Sequence, residues 1–189
     1  MSSRARAVSK SAGLAFLFCL AAATVVADEI PGKKVPYVTA APTPVTNVQR
    51  GKPTAVELHF RVASGYHVNS NTPSLEYLIA TTLKLDAPTD IVVGKINYPA
   101  GQMMSFPFAP DQKLSVYSGP FDLAVTVRPL ASVLPGKYSL RGHLKYQACD
   151  NAACYPPREL PVEFEVRVTK AAGAGAGRHN PRQSPHVHT

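Results

Sequence analysis

Hydrophobic and polar residues alternate with a period of two through four long segments of this chain. The apolar residues of each segment fall on one side of an extended backbone, and the polar residues fall on the other. Such alternation is typical of antiparallel strands with one buried face and one solvated face. The apolar sets are Val56, Leu58, Phe60 and Val62; Phe121, Leu123, Val125 and Val127; Tyr138, Leu140, Leu144 and Tyr146; and Val162, Phe164, Val166 and Val168.

Shorter segments between these four also have the character of strands. The candidates are "TTLKLDA", "IVVGKINY" and "KLSVYSG", and turn signals such as "ASGY", "DAPTD" and "VLPGK" separate them. The one segment that could be helical is "SLEYLIATTL", and it has no clear N-cap. Seven or more short strands in one domain predict an all-β fold, an antiparallel β-sandwich of two sheets.

The N-terminus has the composition of a secretory signal peptide. Basic residues precede an apolar run from Gly13 to Ala27, which is shorter than the roughly 20 residues of a membrane span. We expect residues 1–27 to be a signal peptide whose cleavage removes Cys19, with retention as an anchor as the alternative. Export without stable membrane insertion would place the mature chain where disulfides persist.

Two segments of biased composition flank the predicted domain. Residues 28–44 contain four prolines, which predict an extended, mobile lead-in. Residues 171–189 are Gly/Ala-rich and then polar, and such a sequence predicts a disordered tail. The folded domain is therefore expected at residues 45–170, a single domain of ordinary size.

The formal net charge of +8 gives little information about partners because much of it lies in the termini. Residues 28–169 contain 14 Lys/Arg against 12 Asp/Glu, a difference of +2. A nearly neutral domain offers no basic face, so nucleic acid is not an expected partner. The sequence also has no recognisable Ser/His/Asp arrangement, paired carboxylates or Gly-rich phosphate loop, so hydrolase and nucleotide chemistry are not indicated.

The segment "YQACDNAACYPP" contains Cys149 and Cys154, which can close one disulfide in an exported protein. The pair lies between two predicted strands, and facing positions on antiparallel strands have Cα atoms about 4.5–5.5 Å apart, within the range of a disulfide. A loop this short stabilises the fold by only about 2 kcal/mol in the chain-entropy estimate. Spacing alone leaves open a structural clip, a redox-active pair and a metal site.

Four segments of the chain resemble the N-terminal periplasmic domain of the thiol:disulfide interchange protein DsbD. They are residues 65–85, 98–108, 114–119 and 146–157. The most specific match is a Tyr-Gln-x-Cys…Cys-Tyr-Pro-Pro signature, formed here by Tyr146, Gln147, Cys149, Cys154, Tyr155, Pro156 and Pro157. The resemblance implies a periplasmic location and an immunoglobulin-like sandwich, in agreement with the strand pattern.

The resemblance also implies dithiol–disulfide exchange by Cys149 and Cys154, without a cofactor or a bound metal. Such an activity would be that of a protein-disulfide reductase. In the family the second cysteine, here Cys154, forms the mixed disulfide with the partner. The first cysteine, here Cys149, then resolves it. Partners would be a thioredoxin-like periplasmic protein, a membrane thiol transporter, or both. Full-length interchange proteins continue into a membrane conduit and a thioredoxin-like domain, and this sequence has neither, so we expect either a separate electron source or a protein that does not carry electrons. We also expect a monomer.

In this family a loop with aromatic residues covers the cysteine pair. The corresponding stretch is "SFPFAPDQK", with Phe106 or Phe108 as the shielding ring, and Phe108 aligns slightly better. The residues expected to line the site are His67, Asn69, Tyr146 and Tyr155. His67 departs from the family, which often has an aromatic residue at its position, and it could help to ionise a thiol.

Two interpretations from other functional classes remain open. The first is a non-catalytic exported binding module whose disulfide only fixes a loop. The second is a periplasmic copper-handling protein that uses the two cysteines with Met103, Met104 or a nearby His, because thiolate and thioether ligands suit copper(I).

Overall fold

A computed structural model describes residues 36–170 of the chain. Within this range the chain forms twelve strands and no helix. The predicted signal peptide, most of the predicted lead-in and the predicted tail lie outside the described residues. Residues 36–170 contain no helix that is both long and apolar enough to cross a membrane.

The strands follow one another with short connections. In chain order they are β1 (Val38–Ala40), β2 (Thr46–Gln49), β3 (Thr54–Val62), β4 (His67–Asn69), β5 (Thr82–Asp86), β6 (Ile91–Asn97), β7 (Gln102–Phe106), β8 (Ala109–Tyr117), β9 (Pro120–Pro129), β10 (Gly136–Tyr146), β11 (Ala148–Cys149) and β12 (Arg158–Thr169).

The strands form three four-stranded sheets. The first has the order β1-β3-β9-β6, the second β2-β12-β10-β5, and the third β11-β4-β8-β7. All pairings are antiparallel except that of β2 with β12. The first two sheets enclose the main core, and we call this pair of sheets the main sandwich. The predicted all-β, immunoglobulin-like sandwich is confirmed.

The main core consists of the apolar residues that the alternation identified. Val56, Leu58, Phe60 and Val62 on β3 are buried, and Glu57, His59 and Arg61 between them are exposed. The same pattern continues on β9, β10 and β12, and these residues form one contiguous cluster. Each fully buried aliphatic or aromatic side chain contributes about 1.5–3 kcal/mol by leaving water. The cluster is therefore the main source of stability.

The structure differs from the sequence expectations in two segments. β1 lies inside the stretch expected to be a mobile lead-in, and Val38 on this strand is fully buried opposite Val62 of β3. The candidate helix "SLEYLIATTL" consists of bends and turns that lead into β5. Hydrogen bonds hold this segment to β4 instead, since the Thr81 hydroxyl donates to the Asn69 carbonyl (2.6 Å) and the Thr81 amide donates to the Ser70 carbonyl (3.2 Å).

The third sheet carries the cysteines. A turn at Gly65, with φ of +81°, connects β3 of the main sandwich to β4 of the third sheet. Glycine adopts this left-handed backbone without a steric penalty. β4 is then flanked by β11 on one side and by β8 on the other. This arrangement brings the residues after "SGY" beside the cysteine segment.

Candidate functional site

Cys149 and Cys154 form a disulfide across a tight hairpin. Their Sγ atoms are 2.05 Å apart and their Cα atoms 4.0 Å apart. The Asp150 amide donates to the Ala153 carbonyl (3.0 Å), and the Tyr155 amide donates to the Ala148 carbonyl (2.8 Å). We call residues 148–155 the cysteine hairpin. The disulfide that the sequence allows is present.

The Asp150 carboxylate organises the turn of the cysteine hairpin. One oxygen accepts from the amides of Ala152 (2.8 Å) and Ala153 (2.9 Å), and the other accepts from the Tyr155 hydroxyl. These bonds, the one from Tyr155 above all, lower the pKa of Asp150. The same bond raises the pKa of Tyr155 to about 12. Nothing in the sequence alone shows that the Asp150 carboxylate meets the Tyr155 hydroxyl.

The two sulfur-bearing residues differ in their access to solvent. Cys149 ends β11 and is fully buried, whereas Cys154 is partly exposed. The turn residues 151–153 and the two prolines after Tyr155 are exposed. A thiolate arriving from solvent can therefore reach Cys154 more directly than Cys149. A thiolate attacks a disulfide at one sulfur, along the S–S bond, and it needs access to that sulfur. The difference in exposure therefore favours Cys154 as the sulfur that an external thiolate attacks first.

His67 lies directly beside the disulfide. Its Cα is the register partner of Cys149 on the neighbouring strand. The residue is 4% exposed, and its Nε2 atom is buried without a hydrogen-bond partner among the described residues. Burial lowers the pKa of His67 to about 4, against a smaller opposing effect of the Asp150 charge. The imidazole is therefore neutral at physiological pH.

Phe106 covers the His67 ring. The two ring centroids are 3.8 Å apart with planes inclined by 17°. The Phe108 ring centroid lies 5.4 Å from that of Phe106 and 6.3 Å from that of His67, so the three rings are mutual neighbours, and we call them the ring stack. Phe106 is 5% exposed and packs with Leu78, Leu114 and Val116 in a second, smaller core cluster. Phe106 is thus the inner ring, and Phe108, which aligned slightly better with the family, is the outer one.

The predicted cap, residues 105–113, is the tip of the β7–β8 hairpin rather than an irregular loop. Pro107 and Phe108 form the turn between the two strands. The register shifts between Ser105 and Phe106, and residues 110–112 bulge out of the ladder. Such a bulge interrupts pairing and re-aims side chains. The register shift occurs at Phe106, and the ring of this residue packs against the His67 ring.

Asn69 reaches the cysteine hairpin through Gln147. The Asn69 side-chain amide donates to the Gln147 side-chain oxygen (3.1 Å) and to the Ile79 carbonyl (3.1 Å). Gln147 in turn donates to the Tyr155 carbonyl (3.3 Å). The glutamine of the signature therefore connects β4 and the segment before β5 to the hairpin. Sequence analysis placed Gln147 in the signature but assigned it no contact.

The two tyrosines of the predicted site have different environments. Tyr146 ends β10 in the main core, is 3% exposed, and has a pKa raised mainly by burial. Tyr155 lies in the hairpin and stacks on Tyr37, with centroids 5.2 Å apart, while Tyr66 packs against both. The Arg158 guanidinium lies 4.3 Å from the centroid of the Tyr37 ring. This cluster was missed because Tyr37 lies in the segment expected to be a lead-in.

Met103 and Met104 lie on the edge strand β7, where they pair with Ser115 and Leu114 of β8. They are 57% and 37% exposed. Across residues 36–170 there is no group of three or more His, Cys, Asp or Glu side chains placed to hold a metal ion.

Comparison with known proteins gives one family match. The family described as "Thiol:disulfide interchange protein DsbD, N-terminal" matches residues 36–165. Among the similar solved structures is the reduced DsbD N-terminal domain of Neisseria meningitidis, with 24% identity, coverage of 60% of this chain and 78% of that chain, and a TM-score of 0.39. No curated protein matches the chain.

Two further solved structures are similar. One is the complex between the DsbD N-terminal and PilB N-terminal domains of Neisseria meningitidis, with 21% identity, coverage of 72% of this chain and 87% of that chain, and a TM-score of 0.41. The other is the N-terminal periplasmic domain of ScsB from Proteus mirabilis, with 15% identity, coverage of 67% of this chain and 44% of that chain, and a TM-score of 0.45.

Proposed function

The chain belongs to the family of N-terminal domains of the thiol:disulfide interchange protein DsbD, and on that premise we propose that it is a periplasmic protein that passes reducing equivalents to partner proteins through Cys149 and Cys154. The observation that carries the proposal is the position of the disulfide. It closes a hairpin of sequence separation 5, where it adds little to stability, and one of its cysteines is partly exposed.

The difference in burial supports distinct roles for the two cysteines. In the reduced protein the Cys154 thiolate attacks a partner disulfide, forms the mixed disulfide and expels one partner thiolate. Cys149 then attacks Cys154, the intramolecular disulfide forms, and the second partner sulfur leaves as a thiolate. Two electrons pass from this protein to the partner. Full burial of Cys149 suits the resolving role, because a buried thiol meets no external disulfide.

The ring stack supports a protective role for the cap. Phe106 lies over His67, the register partner of Cys149, so it covers this side of the site. Small oxidants and thiols would be kept from the buried sulfur, and a docking partner would displace the ring. Lids of this kind need a free energy difference of only a few kcal/mol between closed and open states, which partner contacts can supply.

We propose a thioredoxin-like periplasmic protein or a membrane thiol transporter as the electron source. Either would have to present its reactive sulfur on a protruding surface, because Cys154 is only partly exposed. The exposed turn residues 151–153 and the two prolines after Tyr155 surround the approach to Cys154. Contacts there would orient the partner without disturbing the main sandwich.

The proposal is tested by the redox equilibrium of the native protein. We expect the disulfide to be reduced reversibly in a dithiothreitol or glutathione series while the fold is retained, since exchanging disulfides have potentials above the roughly −300 mV typical of structural ones. Thiol trapping with a maleimide reagent, followed by mass spectrometry, measures the reduced fraction. A pair that remains oxidised until the protein unfolds would identify a structural clip and refute the exchange function.

A further inference from the structure

The His67 imidazole is a buried polar group that the fold does not satisfy. Its Nε2 atom has no hydrogen-bond partner within residues 36–170, although the residue is only 4% exposed. Nearby, Ser70 and Ser115 bond to each other at 2.8 Å and the Thr81 hydroxyl donates to a carbonyl, whereas Asn69 Oδ1 on the same strand is also unpaired among residues 36–170. Of the two unpaired groups on β4, only His67 is a base and stands opposite a cysteine. Buried polar groups are nearly always paired, so an unpaired one near a reactive site points to a chemical role.

The register places this imidazole next to a sulfur. His67 and Cys149 are directly opposite on antiparallel strands. Side chains at such positions project to the same face of the sheet, with Cβ atoms about 4.5–5.5 Å apart. When the disulfide is reduced, Cys149 becomes a buried thiol. The imidazole then has beside it a proton donor that the oxidised protein does not contain.

We propose that His67 is the proton acceptor for the Cys149 thiol in the step that releases the partner, and that Phe106 prevents this transfer until the cap moves. The proposal rests on the exchange function proposed above and assigns a role within it.

In the mixed disulfide, Cys154 is bonded to the partner sulfur and Cys149 carries a proton. His67 Nε2 accepts that proton, and the Cys149 thiolate attacks Cys154 Sγ. The Cys149–Cys154 bond forms while the bond from Cys154 to the partner breaks, and the electron pair leaves on the partner sulfur. His67 then gives the proton to the departing thiolate, so the imidazole is regenerated neutral.

The ring stack provides the gate. With Phe106 closed over the ring, burial holds the pKa of His67 at about 4, too low for efficient proton uptake from a thiol. Displacement of the cap exposes the imidazole to water, and its pKa rises towards the ordinary value of about 6.5. The base therefore becomes effective when a partner has opened the site. The thiol stays protonated while the site is closed.

The surrounding charges are compatible with this gate. The Asp150 carboxylate raises the pKa of His67 by less than burial lowers it, and it would also favour the imidazolium that forms in the step. The titratable groups on the segments around β4 are Cys149, Asp150, Cys154 and Tyr155 in the cysteine hairpin, Glu76 and Tyr77 between β4 and β5, and Asp111, Lys113 and Tyr117 on β8.

The test uses the aromatic disulfide DTNB as a defined partner. Stopped-flow absorbance of the reduced protein should give two phases. The rate of the first phase depends on reagent concentration, because this phase reports attack by Cys154 on the reagent. The rate of the second phase is independent of reagent concentration, because this phase reports release of the bound reagent by Cys149. We expect His67→Gln to slow the second phase at least tenfold at pH 7, because positioned acid–base groups contribute about 10²–10⁴ in rate. The first phase should be unchanged.

The control and the pH profile separate a chemical role from a structural one. His59→Gln alters an exposed histidine on β3 and should leave both phases as in the wild type. The second phase of the wild type should show a limb with an apparent pKa near 6.5 that His67→Gln lacks. A folded His67→Gln protein with a wild-type second phase and pH profile would overturn the proposal. A wild type without a first phase would overturn the exchange function and this proposal with it.

A second measurement does not depend on the stability of the His67 variant. The oxidised wild type and Phe106→Ala are titrated by NMR, and the His67 ring resonances give its pKa directly. We expect a midpoint near 4 in the wild type and a rise towards about 6.5 in Phe106→Ala. An unchanged midpoint in Phe106→Ala would show that Phe106 does not control the protonation of His67.

Discussion

The main sandwich and the third sheet bury different kinds of side chain. In the sandwich the inner faces of β3, β9, β10 and β12 are aliphatic and aromatic, and the alternate residues face solvent. In the third sheet every residue of β4 is buried, including His67 and Asn69. Ser70 and Ser115 are also buried there, close to the segment that holds the disulfide. One region separates polar from apolar residues, and the other packs polar groups beside the sulfurs.

This difference separates the region that supplies most of the stability from the region of the proposed chemistry. Apolar burial drives folding, whereas a buried polar group gains little even when it is paired and costs free energy when it is not. The apolar packing of the third sheet is divided: Val68, Tyr117 and Ala148 belong to the main cluster, whereas Phe106, Leu114 and Val116 pack with Leu78 in a small cluster of their own. The part of the sheet that packs only in the small cluster can open locally without unfolding the domain. Local opening is what a covered exchange site requires.

The most pronounced effect is expected from separating the two cysteines. With glutathione disulfide as the partner, Cys149→Ala should accumulate a stable adduct on Cys154, because no second thiol remains to release it. Cys154→Ala should react at least tenfold more slowly, since Cys149 is fully buried. Mass spectrometry of acid-quenched samples measures both. Faster adduct formation in Cys154→Ala would exchange the two roles.

A core truncation should affect stability more than any change in the cysteine hairpin. Leu123 lies on β9 and is fully buried in the main cluster. Leu123→Ala should lower the free energy of unfolding by about 2–5 kcal/mol, the range for buried leucines. Urea unfolding measures the loss. The reduction potential of the protein that remains folded should stay at the wild-type value. A shifted potential would mean that the two regions are energetically coupled.

Removal of the disulfide should affect stability less. Cys149→Ala/Cys154→Ala should unfold cooperatively with its β-rich circular dichroism retained, at a loss of about 2 kcal/mol from loop entropy. Urea unfolding beside Leu123→Ala gives the comparison directly. If the double variant loses more than the leucine variant or fails to fold, the disulfide is a structural clip and the separation of the two regions does not hold.

The main sandwich was predictable because one physical effect determines it. Alternation on β3, β9, β10 and β12 reflects burial of one face, and a single sequence displays that period directly. The first strand was harder, since β1 has three residues and follows a proline-rich stretch. Its burial depends on pairing with β3, a long-range contact that no local pattern reports.

The site was predictable only in part, because its residues come together from four separate strands. The motif identified Cys149 and Cys154, and their disulfide is present in the structure. The stack of Phe106 on His67 could not be derived, since it depends on the bulge in β8 and on the pairing of β4 with β11. The bond from Tyr155 to Asp150 likewise requires the folded turn.

Opening the cap should change reactivity more than it changes stability. In Phe106→Ala/Phe108→Ala the reduced protein should react with a small disulfide reagent about tenfold faster, equivalent to about 1.4 kcal/mol. Its loss of stability should remain below that of Leu123→Ala, because Phe106 packs in the small cluster rather than in the main core. Reagent kinetics and urea unfolding on the same samples measure both. Unchanged kinetics in a folded variant would show that residues 105–113 do not cover the site.

The smallest effect is expected from the carboxylate that organises the hairpin turn. Asp150 accepts three hydrogen bonds within the cysteine hairpin, and these lower its pKa below the ordinary value. A lowered pKa in the folded state means that the ionised carboxylate stabilises the fold above the unfolded pKa of about 3.9, and that this stabilisation is lost as the pH falls through the folded pKa.

Asp150→Asn should therefore melt slightly below the wild type from pH 5 to pH 8. The two melting curves should converge only when the pH has fallen through the lowered folded pKa of Asp150, where the wild-type carboxyl is also protonated. Asp90→Asn, an exposed position between β5 and β6, serves as the control and should follow the wild type throughout. A difference that persists at pH 2 would mean that Asp150 acts through its shape in the turn and not through its charge.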